Sequence, residues 1–301
     1  MSPPEKQETT TVRRLEGLRR RVSLNEEASA IAELLPSTLS LIRCRQIKMF
    51  RGASRFCLHC PDSLPQPPWV GHPCPLRIAY FIEVHVTEST LKIHTIVSSP
   101  FEENTYVLHR AGRQDAVLVD PGLEPAKIAA YCQQAAIEPA AALITHGHSD
   151  HIGGVGAVKK RWPDCRIVIG EGDAQKLTDP YQNLSAQFGL PLAFAPPDET
   201  VAEGDRIEQA GIAFRVLEIP GHSAGHVAYL VEDEEPTLVL VGDIIFAGSI
   251  GRTDFPDGDY DELISGIRAK LFKLPDDTVL LCGHGPKTTV GGEKRTNPFL
   301  T

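Results

Sequence analysis

Thr145-His146-Gly147-His148-Ser149-Asp150-His151 (T-H-G-H-S-D-H) lies between the apolar run Ala141–Ile144 and the glycine pair Gly153-Gly154. It sets three imidazoles and a carboxylate in one tight turn. Neutral imidazole and carboxylate are good ligands for borderline metals such as zinc. At a strand end, donors spaced i, i+2, i+4 and i+5 can be aimed at two adjacent points. Packing gives no reason to gather such residues there, so the turn reads as metal-ligating rather than as a polar loop rich in histidine by chance.

Three more candidate donors sit just past the ends of apolar runs. His222 follows Arg215–Ile219 in P-G-H-S, Asp243 follows Leu238–Val241 in G-D, and His284 follows Val279–Leu281 in G-H-G-P. Strand ends are rigid platforms, and the neighbouring glycines let backbone approach an ion closely. The donor set is then His146, His148, Asp150, His151, His222, Asp243 and His284. Seven donors exceed one tetrahedral zinc but suit two metals with a shared carboxylate and a water. We expect His146, His148 and His222 on the first metal, Asp150, His151 and His284 on the second, and Asp243 as the bridge. Asp150 would also orient the nucleophile. His226, four residues past His222, is expected to orient a ligand or line the site, because the terminal positions are already filled.

Around these motifs, from residue 91 onward, strands and helices alternate. Paired strands are predicted at Lys92–Val97 and Thr105–His109 around a turn at Ser98–Asn104, with a further strand at Ala116–Asp120. A helix over Pro125–Ala136 leads to the strand Ala141–Ile144, and a helix from about Gly154 to Arg161 to the strand Arg166–Ile169. Strands follow at Phe214–Ile219, Val227–Val231, Leu238–Val241 and Val279–Leu281, with a helix at Tyr260–Leu271. No internal repeat is present.

In order, T-H-G-H-S-D-H, G-H-S, G-D and G-H-G-P resemble the metallo-β-lactamase superfamily. Within it the chain is similar to the short bacterial branch of glyoxalase II-type hydroxyacylglutathione hydrolases, through Glu103-Asn104-Thr105-Tyr106, Val119-Asp120-Pro121-Gly122, Gly248–Asp254 (G-S-I-G-R-T-D) and Asn297-Pro298-Phe299-Leu300. The resemblance covers residues 91–301. It implies an α+β fold, a four-layer αββα sandwich with metals at one edge between the sheets, and it places the same seven residues on the family's ligands. It also implies two divalent ions, zinc first with iron or manganese as alternatives. The implied reaction is hydrolysis of a hydroxyacyl thioester such as S-lactoylglutathione by a hydroxide that the metals share. The long glyoxalase II enzymes add a helical C-terminal extension that helps hold glutathione. Only residues 285–301 follow His284 here, so a broader thioester range is expected.

Arg252 is read either as a bidentate partner for a substrate carboxylate or as a brace paired with Asp254. The rival activity is an iron-dependent glutathione persulfide dioxygenase of the same superfamily, which shares G-R-T-D-F at Gly251–Phe255 and would use one iron between two histidines and an aspartate. Animal-type enzymes of that kind have cysteine where this chain has His226. A β-lactamase fits the intact Asp150-His151 pair and the G-R-T-D stretch less well.

The 301-residue chain is 42% apolar, has no run of 18 apolar residues, and carries a net charge of −9. Residues 1–90 hold 12 Lys and Arg against 9 Asp and Glu, and residues 91–301 hold 18 against 30. An acidic body argues against nucleic-acid binding and the missing apolar run against a membrane span. A small thioester substrate, glutathione-linked, is the expected partner. Seven cysteines at irregular spacing point to a reducing, cytoplasmic setting rather than a disulfide framework. Residues 1–90 read as a basic, proline-rich, largely disordered extension, with a possible helix over 12–35 ended by Pro36. Cys57-Leu58-His59-Cys60, with His72 and Cys74, has knuckle-like spacing but lacks a compact apolar frame. Met49 is the only internal methionine.

Overall fold

The computed structural model describes residues 90–99 and 101–301. The expected 12–35 helix, the proline-rich segment, the Cys57–Cys60 cluster and the expected disorder lie outside the described residues. One sheet takes β1 (Leu91–Ser98), β2 (Glu103–Arg110), β3 (Asp115–Val119), β4 (Glu138–Ile144), β5 (Arg166–Gly170) and β6 (Glu199–Val201), in that order. The remaining strands are β7 (Arg206–Gln209), β8 (Ile212–Glu218), β9 (Val227–Val231), β10 (Leu238–Gly242), β11 (Ile245–Phe246), β12 (Ser249–Ile250), β13 (Val279–Cys282) and β14 (Thr288–Thr289). The second sheet runs β14-β13-β10-β9-β8-β7, and β11 with β12 makes a small hairpin. Each sheet is mixed: β3 to β6 pair in parallel in the first, and β10 pairs in parallel with β13 in the second.

The central strands are apolar on both faces because both are covered. In β4, Ala141 and Leu143 face the other sheet while Ala142 and Ile144 face helices; Val117 and Val119 against Ala116 and Leu118 repeat the pattern in β3. The inter-sheet core adds Phe214, Val216, Tyr229, Leu240 and Leu281 from the second sheet. Outside the first sheet lie α1 (Pro125–Ala135), the one-turn α2 (Ser149–Ile152) and α3 (Val155–Arg161), contributing Ile128, Cys132, Ile152, Val155 and Val158. Outside the second lie α4 (Tyr260–Ala269) and α5 (Val290–Thr296), with Leu263, Ile264, Ile267 and Val290 buried against Val239, Val241, Leu280 and Cys282. The result is the αββα sandwich. α4 starts where Asp259 accepts a hydrogen bond from the Glu262 backbone N–H at 2.9 Å, with Asp261 and Glu262 in its positive first turn.

Two tyrosines tie the sheets together at the ends that carry the candidate donors. Tyr106 Oη donates to the Cys282 carbonyl at 2.7 Å, and Tyr229 Oη donates to the Ile144 carbonyl at 2.8 Å. Ile144 leads into Thr145-His146 and Cys282 into Gly283-His284, so each bond fixes one donor-bearing strand end against the opposite sheet.

The elements differ from the expectations mainly at their ends. The first hairpin turn is tighter than predicted, because pairing extends to Ser98 with Glu103. The histidine turn runs straight into α2, which makes Asp150 and His151 helical. The predicted Tyr260–Leu271 helix closes at Ala269 and gives way to a 3-10 turn at Leu271–Lys273. The short β6, β7, β11, β12 and β14 and the glycine-containing α5 carry too little periodicity to be read from sequence.

Candidate metal centre

All seven predicted donors come together. His148 Nδ1 lies 3.0 Å from His222 Nε2, which lies 3.2 Å from His146 Nε2. A second trio forms beside it, with His151 Nε2 3.3 Å from His284 Nε2 and Asp150 Oδ2 3.4 Å from His284 Nε2. Asp243 stands between them: its Oδ2 is 3.6 Å from His222 Nε2 and 3.5 Å from His284 Nε2, and its Oδ1 is 3.3 Å from His151 Nε2. In each trio the converging atoms lie within 4.8 Å of one another.

The ring nitrogens on the far sides show how the histidines are poised. His222 Nδ1 is 2.7 Å from the Arg252 carbonyl, and His284 Nδ1 is 3.0 Å from the Phe101 carbonyl. A carbonyl only accepts, so each Nδ1 carries a proton and Nε2 is the ring nitrogen turned inward. His151 Nδ1 meets Asp120 Oδ2 at 3.0 Å in the same sense. Lone pairs and carboxylates crowded at 3.0–3.8 Å repel unless positive charge sits among them. Buried Asp243 Oδ1 has no hydrogen-bond partner. This donor set fits two cations.

Electrostatics divides the two trios. Burial first, then neighbouring imidazoles, holds His146 and His148 well below the ordinary histidine range, and burial lowers His222. Burial also works against a charged His151, yet Asp243, Asp150 and Asp120 together hold it well above that range. His284 is raised by Asp150 and Asp243 against its own burial. Asp243 is held low despite burial by His151, His222 and His284.

Local structure explains the aim of these groups. β10 slips register against β13 between Leu240 and Gly242, which turns the chain so that Asp243 leaves the sheet toward the donors. Gly242 has φ +48°, and a Cβ there would come within 2.3 Å of Thr145 Oγ1. His226 has the orienting position expected of it. Its Nε2 accepts the Asp243 backbone N–H at 3.1 Å, and its ring stacks on His146 at 4.6 Å. Arg252 takes the brace arrangement: it forks onto Asp254 at 2.9 and 2.8 Å and lies over the Phe255 ring.

Sequence reading missed the buried polar residues behind the donors. Asp120 accepts from Thr145 N and Thr145 Oγ1, each at 2.7 Å, as well as facing His151. Asp173 and Lys176, both buried, lie under Gly147 and Ser223. Asp120 stood in view at a strand end before Pro-Gly, but nothing in the sequence around Asp173 or Lys176 marks them as near the site.

An αββα sandwich with histidines and aspartates gathered at its strand ends defines a class of metal-dependent enzymes. The profile of the metallo-beta-lactamase superfamily matches residues 99–284, and the chain belongs to that superfamily. It is 36% identical over 213 residues to hydroxyacylglutathione hydrolase GloC of Haemophilus influenzae, covering 70% of this chain and 98% of that protein. The crystal structure of BLEG-1 B3 metallo-beta-lactamase is 34% identical with a TM-score of 0.66, over 70% of this chain and all of that one (100%). That of TTHA1623 in a di-iron-bound form is 37% identical with a TM-score of 0.61, over 69% and 100%. The chain is a metal-dependent hydrolase of this superfamily. Among the described residues no helix is long and apolar enough to cross a membrane.

Proposed function

We propose that the protein hydrolyses thioesters, with hydroxyacylglutathione compounds such as S-lactoylglutathione as its substrate class. The observation that carries this reading is the pair of trios joined by Asp243. His146, His148 and His222 would hold one divalent ion, Asp150, His151 and His284 the other, and Asp243 would serve both. Zinc suits these donors, and iron or manganese would be accepted by the same atoms. Bound there, two such ions would lower the pKa of a water toward neutrality and polarise a substrate carbonyl.

The chain's own residues supply the rest. Side-chain exposure is 4% at His222 in the first trio but 19% at Asp150 and 26% at His284 in the second, so substrate enters past Asp150 and His284. Asp150 is the part-exposed carboxylate there, in place to orient the attacking water. Beside His284, the Phe101 ring meets Phe188 edge-on at 5.3 Å; both are partly exposed and give the mouth an apolar wall. On the other flank Phe255 packs on His148 and His222 at 4.8 and 5.6 Å. Apolar walls suit the carbons on the acyl and thiol sides of a thioester. Arg252, committed to Asp254, is not assigned to the glutathione carboxylates.

The relative in Haemophilus influenzae supports the hydroxyacylglutathione assignment by its name. A single iron, as in the persulfide dioxygenase alternative, would leave one trio's inward lone pairs to protons alone. Elemental analysis beside parallel assays decides between the readings. Two metals per chain with release of glutathione from S-lactoylglutathione is the expected result. One iron with oxygen uptake on glutathione persulfide, or hydrolysis confined to a β-lactam, would overturn it.

A further inference from the structure

Asp173 is fully buried, yet it is placed outside the donor set and just past β5. Its Oδ2 accepts the Gly147 backbone N–H at 2.7 Å and also accepts from the Ser223 hydroxyl. Its Oδ1 accepts the Gly225 N–H at 2.9 Å and lies 3.3 Å from Lys176 Nζ. Gly147 separates His146 from His148, and Ser223 follows His222. One carboxylate therefore grips both chain segments that present the first trio. Lys176, almost completely buried, donates to Ser223 Oγ at 2.7 Å and to Asp257 Oδ2 at 2.6 Å, and Asp257 in turn accepts the Ala224 N–H at 3.1 Å. The fit is close: a Cβ on Gly147 would lie 2.4 Å from Lys176 Cβ.

The second trio hangs on other supports. Asp120 holds His151, the Asn183 carbonyl accepts the Ser149 N–H at 2.9 Å at the start of α2, and the Phe101 carbonyl holds His284. Asn183 also donates through its amide to the Lys176 backbone carbonyl at 2.9 Å, a contact to the main chain and not to the buried ion pair. A buried ion pair is expensive to desolvate and gives little net stability, so its retention here calls for another reason. We infer that Asp173 and Lys176 are positioning residues dedicated to the first metal, setting the spacing of the His146-His148 turn against His222 and leaving the second metal untouched.

The inference rests on the two-metal reading above, and the test separates the two. Metal-stripped full-length protein is titrated with cobalt(II) and followed by absorption and calorimetry. His284→Ala leaves the first trio as the intact site, and His148→Ala leaves the second. Asp173→Asn in the His284→Ala background should weaken cobalt binding by about 10–100-fold, the cost of losing a group that orients ligands. In the His148→Ala background it should change binding less than about twofold. Ser223→Ala, nearly isosteric, should weaken the same single site by a smaller factor and serves if Asp173→Asn does not fold. Equal losses in both backgrounds, or none in either, would overturn the inference while leaving two metals in place. A single equivalent in the unsubstituted protein would overturn the two-metal reading and this inference with it.

Discussion

His151 Nδ1 meets Asp120 Oδ2 at 3.0 Å, and the contact fixes which face of the His151 ring looks into the site. The same carboxylate binds Thr145 through both backbone and hydroxyl, so Asp120 locks the start of the histidine turn and its end together. Asp120→Asn keeps the shape but puts an amide where two donors need acceptors. Loss of about 10–100-fold in affinity for the second metal is expected, with a smaller loss at the first because Thr145 Oγ1 also meets His146 Nδ1 at 3.1 Å, read by elemental analysis after dialysis. Unchanged metal content would show that His151 is held by packing alone.

Asp243 lies against both trios, and removing it should act on both. Asp243→Ala is expected to lower metal content and kcat/KM together, the latter by more than about 100-fold, since a direct donor outweighs the groups that orient donors. Full turnover with metal retained would refute a bridging role.

The trios should load with different proton stoichiometry. His146, His148 and His222 are lowered, hence neutral near pH 7, and offer lone pairs without giving up a proton. His151 and His284 are raised, so in metal-free protein they keep protons to higher pH, and a cation must displace them. Below the raised value, affinity for the second metal falls as pH falls, while affinity for the first stays level until the lowered histidines protonate. Titration in weak buffer with an indicator dye should show proton release concentrated in the second equivalent. Equal release in both steps would contradict the assignment.

The Phe101–Phe188 wall makes a prediction about substrate choice. Phe188→Ala should raise KM for thioesters with large apolar acyl groups roughly fivefold, the equivalent of about 1 kcal/mol of lost contact, with kcat unchanged. S-lactoylglutathione, with its small hydroxyacyl group, should be affected less. An equal shift for both substrates would remove the wall from acyl selection.

Tyr229→Phe deletes the hydroxyl that reaches the Ile144 carbonyl across the core. The buried carbonyl loses its cross-sheet donor at a cost of about 1 kcal/mol, or about 2–4 °C in Tm for a domain of this size. Thermal unfolding of metal-free protein measures it directly.

The order of strands and helices and the seven donors were legible because each rests on a local signal, and the αββα layering was implied by the family resemblance that those motifs carry. Cover on both faces needs continuous apolar runs in β3, β4 and β10, and donors at strand ends follow such runs whatever their distance in sequence. His226 could be given its place by counting filled positions. Arg252 could not be decided, because its choice between substrate and Asp254 depends on where the side chain turns. Asp173 and Lys176 escaped notice for a similar reason: their partners Gly147, Ser223 and Asp257 are 26 to 81 residues away along the chain.

By itself, then, the order of residues determined which side chains can bind cations and which strands carry them, since both follow from residue chemistry and from the continuous apolar runs of strands covered on both faces. Tertiary structure alone decided which nitrogen of each ring turns inward, and which buried carboxylate braces which turn. Those are matters of a few tenths of an ångström between segments remote in sequence, and they are set only when the two sheets pack.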